Sequence, residues 1–169
     1  MGLKRLERRI RLLLLFFIAV LLLSGLTAFP LQEELALLDR LLGPASAAAH
    51  NWPALSAWIH RVYTGLSETY RSYPFIAYGT DWLAFAHIVI AIAFLGPLRD
   101  PVRNLWVVEF GMIACVLVLP LALICGPLRG IPLFWRLIDC SFGIVGIVPL
   151  WFARGATLEM RTLAELSTV

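Results

Sequence analysis

Four long apolar segments constrain the fold of this chain more than any other feature of its sequence. The segments cover residues 12–29, 82–97, 105–125 and 131–152. An α-helix of about 20 apolar residues crosses the hydrocarbon core of a bilayer. Hydrophobic residues make up 60% of the chain and its mean hydropathy is +0.84, which lies outside the range of soluble domains. The sequence therefore predicts an all-α integral membrane protein, a single membrane domain over residues 1–169 with four transmembrane helices in a bundle.

The first apolar segment follows a cluster of basic residues and has two interpretations. The cluster consists of Lys4, Arg5, Arg8, Arg9 and Arg11. A basic start followed by an apolar core is typical of a cleaved signal peptide. Cleavage after Ala28, however, would place Leu26 at a position that requires a small residue, so we expect a retained membrane anchor. A signal peptide is the alternative.

Basic residues also predict the orientation of the chain. Short connecting segments rich in Lys and Arg stay on the cytoplasmic side of a membrane. The basic cluster places the N-terminus there, and four spans return the tail, residues 153–169, to the same side. We therefore expect a multi-pass protein of the cell membrane with both termini in the cytoplasm. Because the cluster adjoins an apolar segment, it indicates contact with the lipid bilayer and not with nucleic acid.

Residues 30–80 form an extended polar region whose pattern predicts two amphipathic helices in the first extracytoplasmic loop. Leucines at helical spacing mark the first helix: Leu31, Leu35, Leu38 and Leu42. The second helix carries His60 on the face opposite its apolar residues. Gly79 is expected to break the chain, so that Thr80 or Asp81 caps the second span. Pro120 is expected to kink the third span.

The fourth apolar segment carries two charges, Arg136 and Asp139, in its first half. A charge at membrane depth costs about 2.5–3.5 kcal/mol on insertion scales, so such a residue usually faces the protein interior and has a partner. His87 in the second segment lies at a matching depth, about 9–10 Å below the outer surface at 1.5 Å per residue. We predict that His87 is buried against Asp139, with Arg136 beside it to keep the carboxylate ionised. Asp81 would then lie at the mouth of this cluster.

Two stripes of small residues favour the same pairing of the second and fourth spans. One stripe contains Ala84, His87 and Ala91, and the other contains Arg136, Asp139, Gly143 and Gly146. Small residues at helical spacing let two helices approach closely in a membrane. We therefore expect the two stripes to face each other.

Glu109 is a second polar position, near the cytoplasmic end of the third segment. It lies more than about 10 Å from Asp139 along the bilayer normal, which argues against an acid/base pair of carboxylates. We expect Glu109 to pair with Arg103 or with a residue of a partner subunit.

Three interpretations of the His87, Asp139 and Arg136 cluster stay open: a packing clamp, a site for a ligand or for protons, and a metal or haem site. Because one histidine alone lies in an apolar segment, we expect no metal and no cofactor.

The leading hypothesis is a binding or scaffold protein that engages a partner membrane protein or a lipophilic ligand. The alternative is a small membrane-embedded enzyme or carrier for a lipophilic ligand or protons, with His87 as acid/base and Asp139 as its orienting group.

Overall fold

The computed structural model describes residues 2–166, and all regular secondary structure within that part of the chain is helical. The α-helices are α1 (Leu3–Ala28), α2 (Leu31–Leu42), α3 (Ala48–Asn51), α4 (Pro53–Ser72), α5 (Tyr78–Ala93), α6 (Leu95–Arg99), α7 (Leu105–Pro120), α8 (Gly126–Leu128) and α9 (Leu133–Leu166). A 3₁₀ turn, Pro74–Ala77, precedes α5. A π-helical turn, Leu121–Cys125, joins α7 to α8.

Four helical stretches are long and apolar enough to cross a membrane, which confirms the prediction of an all-helical chain with four such helices. The stretches are Leu3–Ala28, Pro74–Arg99, Leu105–Leu128 and Leu133–Leu166. The amphipathic helices predicted between the first two stretches are α2 and α4, which include the predicted leucines and His60 respectively.

The polar tail after Phe152 belongs to the same helix as the fourth apolar segment. Helix α9 continues without a break from Leu133 to Leu166. No proline lies beyond Phe152 to stop it, and an ion pair of 3.0 Å between Arg161 Nε and Glu165 Oε1 supports the last turns. The final three residues of the predicted tail, 167–169, lie outside the described residues.

The start of the second apolar stretch also differs from the prediction. Helix α5 begins at Tyr78, so Gly79 lies inside the helix and Asp81 belongs to its first turn and does not cap it. The 3₁₀ turn that starts at Pro74 leads directly into α5, because proline fixes a helical φ and needs no N–H donor at a helix start. Thr80 Oγ1 donates to the carbonyl oxygen of Ala77 at 2.7 Å.

A π-helical turn follows Pro120, where a kink was expected. Proline has no N–H group and its ring crowds the carbonyl four residues earlier, so it weakens the regular α-helical hydrogen-bond pattern at this point. Leu121 N–H lies between the carbonyl oxygens of Leu117 and Val118, and the wider turn begins there.

The chain divides into two compact units, one formed by Met1–Val20 with Ile90–Val169 and the other by Leu21–Val89. In the first unit α7 and α9 pack antiparallel. Gly143 of α9 lies against Cys115 of α7, and Leu150, further along α9, lies against Gly111, which comes earlier in α7. A Cβ atom on Gly143 would overlap the carbonyl oxygen of Cys115. Glycine is therefore required where the two helix backbones approach most closely.

The core of the first unit contains side chains of α1 as well as of α7 and α9. Its fully buried apolar residues include Leu6, Ile10, Leu14, Phe94, Val108 and Leu150. The rings of Phe17 and Phe94 lie with their centroids 4.7 Å apart. The buried residues of α1 recur every four residues, so one face of this helix is apolar and packed along its first half.

In the second unit, α2 and α4 form a helical hairpin whose buried apolar residues are Leu35 and Ile59. Gly43 ends α2, and its N–H donates to the carbonyl oxygen of Asp39 at 2.8 Å. Helix α5 contacts α1 at Gly25 in this unit, where a Cβ atom would lie 3.0 Å from Ala84 O.

Candidate functional site

His87 contacts its own helix and the first helix of the chain. Its Nδ1 lies 2.8 Å from the carbonyl oxygen of Leu83, so Nδ1 carries a proton and donates it to this acceptor. In the neutral ring Nε2 is then the acceptor. A Cβ atom on Gly25 would lie 3.0 Å from His87 Cβ, which places His87 at the close contact of α5 with α1.

Arg136 lies in the first turns of α9, and its aliphatic stem packs on Gly126. A Cβ atom at Gly126 would overlap Arg136 Cδ. Arg136 Nε is buried and has no hydrogen-bond partner among the described residues. Within that same part of the chain, Arg136 forms no ion pair with Asp139, although the two residues are one helical turn apart. The expected stabilisation of the Asp139 carboxylate by Arg136 stays a prediction.

The two stripes of small residues each have a partner inside their own unit. Gly143 and Gly146 of α9 lie against Cys115 of α7, with a Cβ on Gly146 at 2.9 Å from Cys115 Sγ. Ala84 and His87 lie against Gly25 of α1. Each stripe thus packs closely on a helix of its own unit. The facing of the two stripes and the pairing of His87 with Asp139 stay predictions.

Glu109 has a partner that differs from the expected Arg103. Arg154 Nε donates to Glu109 Oε1 at 2.9 Å, and both side chains are about two-fifths exposed. Arg103 lies in the turn before α7, where its backbone N–H donates to Asp100 Oδ1 at 3.0 Å. The antiparallel packing of α7 on α9 explains the difference, because it brings Arg154 opposite the first turns of α7.

A second polar contact, which sequence reasoning missed, joins α2 to α4. His60 Nδ1 donates to Asp39 Oδ1 at 3.1 Å. The Asp39 side chain is largely covered, whereas His60 is about half exposed. The expectation that His60 lies opposite the apolar face of its helix is wrong. The signal in the sequence is that Asp39 follows Leu38 and His60 follows the buried Ile59, so each polar residue borders the apolar stripe of its own helix. Two helices that pack through those stripes bring the adjoining polar side chains together.

The α2–α4 hairpin also carries a groove of about 500 Å³, which we call the hairpin groove. It is lined by Gln32, Tyr63, Thr64, Ser67, Glu68, Tyr70 and Arg71. Its volume lies within the range of small-molecule sites, about 300–1,000 Å³. Apart from two tyrosine rings, the lining is polar and carries one charge of each sign.

Two charged side chains in the hairpin groove are available to a ligand, whereas Ser67 Oγ is occluded from solvent and has no hydrogen-bond partner in the described part of the chain. Glu68 and Arg71 lie three residues apart on α4, and neither forms an ion pair among residues 2–166. Tyr70 is already engaged: because Thr80 Oγ1 donates to Ala77, the Tyr70 hydroxyl donates to Thr80 Oγ1 at 3.1 Å.

Among residues 2–166, no group of three or more His, Cys, Asp or Glu side chains is arranged to hold a metal ion. Comparison with known proteins adds no assignment: no protein-family model, curated protein or solved structure matches this chain. The geometry of the side chains is therefore the basis for the function proposed below.

Proposed function

We propose that the protein is a four-span integral membrane protein that binds an amphipathic ligand in the hairpin groove. Its spans are the four apolar helical stretches, with both termini in the cytoplasm and α2 to α4 on the opposite side. Large apolar side chains on these stretches that are more than half exposed support the insertion, among them Leu23, Phe85, Ile113, Leu117 and Phe142. An apolar surface of this extent is unfavourable in water and is covered by lipid chains in a bilayer.

The observation that carries the binding function is the hairpin groove with its two unpaired, opposite charges, Glu68 and Arg71. A ligand whose polar part carries a positive and a negative group satisfies both charges at once. The Gln32 amide, which also lines the groove, offers a hydrogen bond beside these charges. The ligand class that this lining favours is an amphiphile with a zwitterionic polar group.

The contacts between α2 and α4 support a groove that is formed before the ligand arrives. Leu35 and Ile59 are buried in the hairpin, and the contact between Asp39 and His60 joins the same two helices. A site that is held in shape by its scaffold loses less conformational entropy on binding.

Native mass spectrometry of the protein purified from membranes tests this function. We expect a bound zwitterionic amphiphile on the wild-type chain and its loss from Ser67→Trp, which fills the groove, and from Arg71→Gln, which removes one charge. Ser72→Trp is the matched control, since Ser72 lies on α4 outside the groove. Retention of the same ligand by Ser67→Trp and Arg71→Gln, or its absence from the wild-type protein, would contradict the proposal.

A second candidate function is an enzyme or carrier that uses His87 as acid/base. The hydrogen bond from Nδ1 to Leu83 O favours it, because it fixes the ring and leaves Nε2 to exchange a proton. Proton flux into liposomes that hold a pH-sensitive dye tests the carrier form. Equal flux for wild type, His87→Gln and empty liposomes would argue against it.

A further inference from the structure

The first three turns of α1 carry basic side chains on the face opposite the core. Leu6 and Ile10 on the inner face are 0% and 1% exposed. Lys4, Arg8 and Arg11 recur at i, i+4 and i+7, and all three are exposed. This basic face ends where the apolar part of α1 begins, at Leu12.

A shallow groove of about 270 Å³ lies on this face, which we call the basic groove. It is lined by Lys4, Glu7, Arg8, Arg11 and Leu12. Glu7 Oε1 accepts a hydrogen bond from Arg11 Nη2 at 2.8 Å, so the one carboxylate in the lining is already paired. Lys4 and Arg8 have no carboxylate partner within the described part of the chain.

The neighbouring arginines do not share this arrangement. Arg9 lies over the ring of Phe152 with 5.4 Å between its guanidinium carbon and the ring centroid, so its side chain contacts α9. Arg5 is exposed but does not line the basic groove. The unpaired positive charge of the groove is thus concentrated on Lys4 and Arg8, beside the exposed side chain of Leu12.

We propose that the basic groove binds the head group of an anionic phospholipid in the membrane leaflet at the N-terminus of α1. The phosphate lies between Lys4 and Arg8, where the Arg8 guanidinium donates two parallel hydrogen bonds to phosphate oxygens. The acyl chains run along Leu12 and the apolar part of α1. This inference rests on the proposed insertion of α1 into a bilayer and adds the lipid class that the helix selects.

A defined groove and diffuse attraction to a basic segment differ in how much each single charge contributes to the affinity for an anionic lipid. Diffuse attraction depends on the number of positive charges near the membrane, so it weakens equally when any one of them is removed. In a groove, the residues that touch the phosphate contribute more than their neighbours at the same depth. Arg8→Gln and Arg5→Gln remove the same charge less than one turn apart, and they form a matched pair.

The experiment uses the full chain in nanodiscs of phosphatidylcholine with or without phosphatidylglycerol, and native mass spectrometry measures the lipid retained. We expect retention of phosphatidylglycerol over phosphatidylcholine by the wild-type protein. Arg8→Gln is expected to lower the affinity for phosphatidylglycerol about fivefold, and Arg5→Gln less than about twofold. Lys4→Gln serves as a second variant if Arg8→Gln does not fold, which circular dichroism checks. Inorganic phosphate is expected not to displace the lipid, because it lacks the chains that contact Leu12.

Equal losses for Arg8→Gln and Arg5→Gln would overturn the proposal in favour of diffuse attraction. Equal retention of phosphatidylglycerol and phosphatidylcholine by the wild-type chain would also overturn it, while the proposed function would stand. Displacement by inorganic phosphate would show an anion site that does not recognise lipid. A chain that does not enter nanodiscs at all would overturn both this proposal and the membrane insertion on which it rests.

Discussion

Glu109 and Arg154 join the first turns of α7 to the part of α9 beyond Phe152 through a hydrogen bond of 2.9 Å from Nε to Oε1. The chain between them contains 44 intervening residues, since the pair is separated by 45 positions. The contact therefore depends on the antiparallel packing of α7 on α9. Among the described residues of the first unit it is the ion pair that joins two helices, whereas the pairs Glu7–Arg11 and Arg161–Glu165 each lie within one helix.

We predict that Arg154→Gln lowers stability in nanodiscs and that Glu109→Gln does so by a similar amount. Because both side chains are about two-fifths exposed, solvent screening limits the coupling to about 0.5–1 kcal/mol. Thermal unfolding of the two single variants and the double variant measures this coupling. Arg161→Gln, which breaks an exposed pair within one helix, is the control. Strictly additive effects at positions 109 and 154 would refute the pairing.

Two glycines of α9 are predicted to respond to alanine in opposite directions. Gly143→Ala would overlap the carbonyl oxygen of Cys115 and is expected to destabilise the protein by about 1–3 kcal/mol. A Cβ atom at Gly155 would have no neighbouring atom within 4 Å, so Gly155→Ala is expected to stabilise the helix by up to about 1 kcal/mol. Chemical or thermal unfolding of both variants in the same detergent compares them. A neutral Gly143→Ala would show that α7 and α9 do not approach closely at this point.

The orientation of the chain is predicted to depend on its first eleven residues. Replacement of Lys4, Arg5, Arg8, Arg9 and Arg11 by Gln removes the charges that hold the N-terminus in the cytoplasm. Reporter fusions at each terminus are expected to show a mixture of orientations for this variant and one orientation for the wild type. The same single orientation for both proteins would mean that other features set the topology.

The pairing of His87 with Asp139 predicts non-additive stability changes. His87→Ala and Asp139→Asn are each expected to lower thermal stability in detergent, and the double variant to lower it by less than their sum. A hydrogen bond between two such side chains within a membrane is worth about 0.6–2 kcal/mol. A double variant that is destabilised by the full sum would argue that the two residues do not interact.

The four helical stretches of span length could be predicted from the sequence, whereas the packing of α7 on α9 could not. Apolar runs of near span length predicted the four long stretches because the period and length of such runs depend only on local sequence. The continuation of α9 beyond Phe152 does not follow from hydropathy, because a change from apolar to polar residues indicates a change of surroundings and not the end of a helix. Neither Pro149 nor Gly155 ends α9.

The partners of the polar and small residues could not be predicted from spacing alone. A stripe of small residues such as Gly143 and Gly146 identifies the face of a helix that packs closely, but it does not identify the helix that packs there. In this structure Cys115 of α7 lies against both glycines, and no feature of the sequence around Cys115 indicates this contact. Asp39 and His60 were missed for the same reason, since their contact spans 21 positions and depends on how the α2–α4 hairpin closes.

The π-helical turn after Pro120 changes the angular position, around the helix axis, of the residues that follow it. A π-turn holds about one residue more than an α-turn, and one residue corresponds to a rotation of about 100° around the helix axis. Because the wider turn absorbs one residue, Gly126 takes the angular position that the residue before it would take in a regular α-helix, and the stem of Arg136 packs there. Deleting a single residue between Leu121 and Cys125 would thus restore a regular α-turn and leave Gly126 against Arg136, whereas the same deletion in the regular part of α7 would turn Gly126 about 100° away.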